Sequence, residues 1–511
     1  MLDIKGKGNK MNSIMNNKAK KLKILFVASE SAPFAKAGGL GDVIYSLSLA
    51  LKKLGQDVRI MMPRYGTIDL KKNKMKMELK SLKVPTDQPG GYPYLICNVK
   101  KNRGRNGASI PTYFLENMEY YEKRANVYGY SDDHIRWILL CRGVLEFLKV
   151  SNWKPNIIVA SDWQTGLIPN YLKTVYDKDS ILSKIGTIFA IHNLQYQGMC
   201  DFKFVQETER DSGKEPIPDF FNPRLAKLNW MLRGTIYSDI VTTVSPTYSR
   251  EILTPEYGEG LNKIFAEHRE KIFGILNGID YEENNPEKSI HVPVKYNIKN
   301  LDGKKENKIL LQKKFGFSQD DSVFLIGMVS RLTEQKGFDL LEKMIGPLLK
   351  NLSIQFIFLG DGESRYKEMI KNASEKFPEK IKYLFEFDPN LPHLIFSGAD
   401  ALLMPSKFEP CGITQIQAMR YGCVPIVRKT GGLADTVEDF NPQKKEGTGF
   451  VFQDYDPMDL FIAIVRAYNC FNFRNEWKQL VKRVLKKDFS WKKSAKEYLA
   501  LFHQLLQKKN L

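Results

Sequence analysis

Histidine and cysteine are scarce in this chain of 511 residues, six of each, and their spacing excludes more than their number does. The cysteines, at 97, 141, 200, 411, 423 and 470, form no CxxC pair and no regular framework. That excludes a disulfide-stapled secreted scaffold and fits reduced thiols in a cytosol-like, cytoplasmic setting. The histidines form no HxxxH pair beside an acid, so no metal site is legible and neither metal nor cofactor is expected. Apolar runs are short, none approaching the roughly 18 residues of a membrane span, so no membrane partner is expected. The first twenty residues, MLDIKGKGNKMNSIMNNKAK, lack an apolar core and so do not read as a secretory signal. Residues 1–21 read as a basic disordered arm, or as an early start before Met11 or Met15, with an organelle transit peptide as the less favoured reading. Acid is in deficit, 58 Asp and Glu against 77 Lys and Arg, for a net charge of +19. The lysines are scattered among acids rather than interleaved with aromatics in one stripe, which argues for a solvated basic surface and against a nucleic-acid partner.

What remains is an ordinary globular composition, 43% hydrophobic and 26% charged, in a chain longer than one core usually supports. Two or three domains are expected. The stretch that organises the rest is Ser406–Gly422, SKFEPCGITQIQAMRYG, after the apolar run Ala401–Met404 and Pro405. An apolar run, a turn carrying an acid, and then an amphipathic segment with Ile413, Ile416, Ala418 and Met419 predict strand, loop and helix. In doubly wound sheets ligands bind at the carboxyl ends of strands, which puts Glu409 at a site. Gly412 and Thr414 would offer donors to a phosphate while Glu409 accepts hydrogen bonds from a polyol. A sugar nucleotide satisfies both, and an ordinary surface loop before a helix is the alternative from this stretch alone.

The same layout recurs along the chain. Leu22–Ser29 is a nearly continuous apolar run, the pattern of a strand buried on both faces of a parallel sheet. Lys36-Ala37-Gly38-Gly39-Leu40-Gly41-Asp42-Val43 follows, then a helical stretch Ile44–Leu54 and a second strand Val58–Met62. Glycines there let the backbone approach a ligand, Lys36 supplies a compact positive charge, and Asp42 either caps the helix or binds ligand. The spacing is neither a dinucleotide fingerprint nor a P-loop. Lysine-rich 70–107 predicts edge hairpins and loops, and 132–150 a helix. Polar residues then follow short apolar runs: Asp162 to Gly166 after Ile157–Ala160, His192 and Asn193 after Gly186–Ile191, Ser245 to Thr247 after Val241–Val244. A linker is expected at 286–307, after a first domain at 22–285, because the stretch Glu282–Asn307 is polar and contains Pro286 and Pro293. A second α/β pattern at 308–481 contains Val323–Ser330 with Arg331 and Lys336 behind it, Ile354–Leu359 before Gly360, and Cys423–Val427 before Thr430 to Leu433.

Eight motifs in this order resemble the bacterial glycogen synthase and starch synthase family of retaining glucosyltransferases: KAGGLGDV at Lys36, IHNLQYQG at His192, TVSPTYSREI at Thr243, TPEYGEGL at Thr254, GILNGID at Gly274, SRLTEQKG at Ser330, MPSKFEPCGITQ at Met404 and TGGLADTV at Thr430. The resemblance spans about Lys23 to Ser490. It implies the α/β GT-B fold, two Rossmann-like domains facing a central cleft, with a last helix at 482–511 packing back on the first domain. It implies transfer of glucose from ADP-glucose to the non-reducing end of glycogen or a starch-like α-1,4-glucan. By the same resemblance, Lys36 with Gly38, Gly39 and Asp42 lines the donor site, and Arg331 and Lys336 hold the donor phosphates. Glu409 faces the glucose hydroxyls with Cys411, Gly412 and Thr414 nearby, and Phe387 stacks on the adenine. Asp162, His192, Asn193, Asn229 and Gln164 surround the glucose and the acceptor end.

Three positions depart from the pattern. Gln164 stands where many relatives have His, Leu232 where Lys is common although Arg233 follows, and Gln417 where the wider superfamily has a second acid that this family generally lacks. Gln164 and Leu232 permit one rival reading, a non-catalytic glucan-binding or initiation scaffold; a second rival is the same fold using UDP-glucose or making a short soluble glucoside. The oligomeric state is not readable.

Overall fold

The computed structural model describes residues 21–88, 91–102, 109–386 and 388–509. The expected basic arm therefore lies, but for Lys21, outside the described residues, as does Phe387. The chain forms two compact units, one ending at Val241 and resuming at Ala495, the other Thr242–Ser494.

The first unit is built on β1 (Lys23–Val27), whose residues after Lys23 are all buried. It pairs in parallel with β2 (Asp57–Pro63) on one side. The hairpin strands β3 (Lys76–Pro85) and β4 (Tyr94–Asn102) follow in the chain, then β5 (Thr112–Glu116), which is parallel to β2. Strand β4 is antiparallel to both β5 and β3, so the lysine-rich segment is the sheet edge, as expected. Lysines on an exposed edge strand deter pairing with a second chain. On the other side of β1 lie β6 (Ile157–Ser161), β7 (Gly186–Ile191) and β8 (Ile240–Thr243), giving the order β3-β4-β5-β2-β1-β6-β7-β8. Strands β6 and β7 are buried at every residue, the consequence of helices on both faces. The helix after β1 runs Gly39–Lys53, starting inside the glycine loop and not at Ile44.

The second unit opens with the end of β8 and a short strand β9 (Ile272–Gly274), the Ile275 N–H bonding to the Thr243 carbonyl at 2.9 Å. Its main sheet has β10 (Phe324–Val329), β11 (Ile354–Leu359), β12 (Ile381–Leu384), β13 (Ala401–Met404), β14 (Val424–Arg428) and β15 (Phe450–Phe452). All pairings in it are parallel, in the order β12-β11-β10-β13-β14-β15.

The unit boundaries differ from those expected. Residues 242–285 cluster with the second unit because the helix Pro246–Glu251 packs on the helix Gly431–Thr436. The stretch 286–307 is no free linker: Val292 and Tyr296 are buried in the second core, and the Tyr296 hydroxyl donates to the Tyr421 carbonyl at 2.8 Å. The helix Asp302–Phe315 begins inside that stretch. The basic carboxyl-terminal segment is two helices, Arg474–Lys486 and Trp491–Lys508. From Ala495 onward it groups with the first unit, where Lys509 pairs with Asp239 at 3.0 Å and Leu505 lies against Gly186.

Candidate active site

In the second unit the parallel pairing of β10 with β13 brings their carboxyl ends side by side, and with them the loops that carry Arg331, Lys336 and Glu409. The loops are stitched together. Lys407 N–H donates to the Gln335 carbonyl at 2.8 Å, and the Gln335 amide donates to the Phe408 carbonyl at 3.3 Å. Lys336 Nζ then meets Glu409 Oε2 at 2.5 Å, and Ser406 Oγ donates to the same oxygen at 3.2 Å. Glu409 is only 7% exposed, so a cation and a hydroxyl take the place of water on that oxygen. Arg331 is exposed, with only a long contact of 3.5 Å to Gln335.

The main chain around Glu409 is set by the next loop. Gly432 N–H donates to the Glu409 carbonyl at 3.0 Å. Gly431 has φ +44°, and a Cβ there would run into that carbonyl. A Cβ on Gly432 would likewise collide with the Cys411 carbonyl. The motif TGGL thus needs both glycines for close backbone approach, not for flexibility. Cys411 is buried and its thiol is pushed up to about 12 by desolvation, so it stays neutral. Gly412 adopts φ +67°, and Thr414 begins the helix Thr414–Arg420, which has no side-chain cap.

In the first unit the glycine-rich loop hangs on a residue that the motifs do not single out. Glu30, 2% exposed at the carboxyl end of β1, accepts hydrogen bonds from the Ala37 and Gly38 N–H groups. Lys36, more than half exposed, is paired to Asp42 at 2.6 Å. Asp42 lies in the first helical turn but does not cap the helix, whose N-cap is Gly38; Gly39 is its first residue.

After β6, Asp162 adopts φ +56°, a left-handed conformation rare for a residue with a side chain. Its carboxylate accepts from the His192 N–H at 2.7 Å and the Asn193 N–H at 3.3 Å, tying the β6 loop to the β7 loop. Desolvation outweighs those two bonds and raises Asp162 to about 7, while burial lowers His192 to about 4. The signs are opposite in their effect on stability. The cost of burying Asp162 grows as pH rises from about 3.8 through about 7, and that of His192 grows as pH falls from about 6.5 through about 4. Neither His192 ring nitrogen has a partner among the described residues. We therefore expect its ring proton resonances to be flat between pH 5 and 8 and to move only near pH 4. A midpoint near 6.5 would show the ring to be solvated.

Asn229, expected around the glucose and the acceptor end, is bonded within its own unit. It caps the helix Trp230–Tyr237 by accepting from Leu232 N–H at 2.9 Å, and its amide donates to Gln197 Oε1 at 2.6 Å, so its side chain is committed within the fold. Gln164 is buried, its Oε1 without a partner among the described residues. Leu232 is buried in its helix, and Arg233 is fully buried in a two-bond pair with Asp211, 2.8 Å at each contact. The Arg233 guanidinium is thus committed to Asp211.

Comparison with known proteins follows this geometry. A model of the starch synthase catalytic domain matches residues 23–267, and one of the glycosyl transferases group 1 matches 311–484. The chain is 41% identical to a glycogen synthase of Geotalea daltonii over 497 residues, 96% of this chain and 100% of that one. It is 39% identical to a glycogen synthase of Thermosipho melanesiensis, over 96% of this chain and 100% of that one. The catalytic domain of Starch Synthase IV from Arabidopsis thaliana, solved bound to ADP and acarbose, matches with a TM-score of 0.80 at 32% identity, covering 95% of this chain and 100% of that one. A sucrose-phosphate synthase from Thermosynechococcus elongatus, at 15% identity and a TM-score of 0.58 over 96% of this chain and 100% of that one, shares the fold alone. With both family models in register on its two sheets and full-length relatives near two-fifths identity, the chain belongs to the glycogen synthase and starch synthase family of glucosyltransferases, on a GT-B fold.

Proposed function

We propose that this chain transfers glucose from ADP-glucose to the non-reducing end of an α-1,4-glucan, glycogen or starch-like, with retention at the anomeric carbon. The observation that carries the site assignment is the Lys336–Glu409 pair, 2.5 Å apart at the adjoining ends of two parallel strands. Breaking the bond between glucose C1 and the diphosphate oxygen leaves an oxocarbenium-like sugar and an anionic ADP. Lys336 and Arg331 supply positive charge to that leaving group, preorganised by the loops that hold them. By the likeness of its glycine-rich loop to the family's, Lys36 is assigned to a donor phosphate, its ammonium changing partner from Asp42 to phosphate. Glu409 accepts hydrogen bonds from the glucose hydroxyls and orients the ring, with Gly412 and Thr414 beside the phosphates. The acceptor hydroxyl forms the new C1–O bond on the face that the diphosphate leaves, and its proton passes to a donor phosphate oxygen, so no carboxylate nucleophile is assigned. Asp162, with His192 and Asn193 on its two bonds, shapes the glucose end, and a neutral His192 offers a hydrogen bond without a charge that would oppose the cationic sugar. We assign the enzyme to the cytoplasm, where six free thiols, five of them buried, remain reduced.

The test compares labelled glucose incorporation into glycogen from ADP-glucose and from UDP-glucose. We expect incorporation from ADP-glucose well above that from UDP-glucose, and Lys36→Ala to raise the donor KM about tenfold through the lost phosphate contact. Glucan binding with no incorporation from either donor would reject the reading in favour of a scaffold. An unchanged KM and kcat would reject Lys36 as a donor ligand.

A further inference from the structure

The motif TVSPTYSREI has no part in the chemistry above, yet its penultimate residue, Glu251, holds the Glu409 loop from behind. The helices Pro246–Glu251 and Gly431–Thr436 cap each other. Thr247 donates its N–H to Asp435 at 2.8 Å and its hydroxyl at 2.7 Å. In return Gly431 N–H reaches both Glu251 oxygens at 3.0 and 3.1 Å, and the Thr430 hydroxyl donates to Glu251 at 3.1 Å. Each carboxylate thus satisfies amides at the positive end of the other helix. The two halves of this clasp are not equivalent. Among the described residues Asp435 accepts hydrogen bonds only from Thr247. Glu251 binds the turn Thr430–Gly431, whose next amide, Gly432, donates to the Glu409 carbonyl at 3.0 Å. No room exists between that turn and the Glu409 carbonyl for even a Cβ on Gly431, so a shift of the turn moves the Glu409 main chain. Arg428, at the end of β14, holds the same loop from its other side by donating to the Lys407 carbonyl at 2.5 Å.

We propose that Glu251 is a positioning residue for the transfer reaction, its carboxylate fixing the Thr430–Gly432 turn and through it the main chain that presents Glu409. The inference rests on the reading of Glu409 as the glucose-facing acid. The Lys336 and Arg331 loop is tied to the Glu409 loop through Gln335 and Lys336 and not to this turn directly, so donor binding is expected to change less than orientation of the sugar. The experiment measures kcat, the ADP-glucose KM and hydrogen exchange of the 407–414 and 430–433 peptides in wild type, Glu251→Gln, Glu251→Ala and Asp435→Ala. We expect kcat to fall about threefold in Glu251→Gln, which keeps one acceptor oxygen, and about tenfold or more in Glu251→Ala, with KM within about twofold. Exchange in both peptides rises in step. Asp435→Ala breaks the other half of the clasp, lowers Tm, and leaves kcat and exchange of 407–414 close to wild type. Unchanged kcat and exchange in Glu251→Ala, or equal loss in Asp435→Ala, would overturn the proposal. Should Glu251→Ala fail to fold, the Glu251→Gln and Asp435→Ala pair carries the same contrast. Absence of turnover in wild type, with the exchange difference intact, would instead sink the functional reading and leave the clamp standing.

Discussion

Glucose incorporation from ADP-glucose falls at least about a hundredfold in Glu409→Ala, the loss of about 3 kcal/mol expected when a preorganised transition-state contact is removed. The size follows from the burial of the group. At 7% exposure, with Lys336 and Ser406 already on one oxygen, the carboxylate is held in a fixed orientation that water cannot reproduce. Removing it leaves Lys336, whose side chain is only 15% exposed, without its carboxylate. We therefore expect a stability loss of about 1–3 kcal/mol, visible as a lower Tm with an unchanged circular dichroism spectrum. Near-wild-type incorporation would remove Glu409 from the site. A collapsed spectrum would assign the loss to folding and transfer the test to Glu409→Gln.

The strands that frame this site were legible because parallel strands covered on both faces need continuous apolar runs. Gly186–Ile191 and Ile354–Leu359 match their predicted bounds, and β1, β6, β10 and β14 do so within one or two residues. Polar residues just beyond those runs were equally readable, since the ends of such strands are where a doubly wound sheet binds ligands. What escaped were the residues that work through the backbone. Glu30 and Glu251 accept amide hydrogens from loops 7 and 180 positions away, and nothing in an isolated acid announces a partner that distant. Glu30 had one usable signal, its place directly behind the apolar run of β1. Asn229 had another, since Asn immediately before a helical stretch is an N-cap pattern. The unit boundary was hidden for the same reason as Glu251: the contacts that draw 242–285 toward the second unit are long-range, whereas Pro286 and Pro293 are local and suggested a linker where the chain is packed.

Lys336→Ala lowers kcat about a hundredfold or more, because positive charge at the departing diphosphate is lost where it develops. The informative quantity is its coupling to Glu409. The two side chains touch at 2.5 Å, and groups in contact rarely contribute additively. If the pair persists when ADP-glucose binds, Lys336 orients Glu409 as well as binding phosphate. The double variant Lys336→Ala, Glu409→Ala then costs little more than the worse single variant, a coupling of about 1–3 kcal/mol in kcat/KM. Should the two losses multiply, the ammonium has left the carboxylate for the phosphate before the bond breaks, and the 2.5 Å contact is a resting arrangement that the donor opens. The same cycle run on thermal stability without donor isolates the resting pair: coupling there, with none in kcat/KM, identifies the exchange of partners as a step in donor binding.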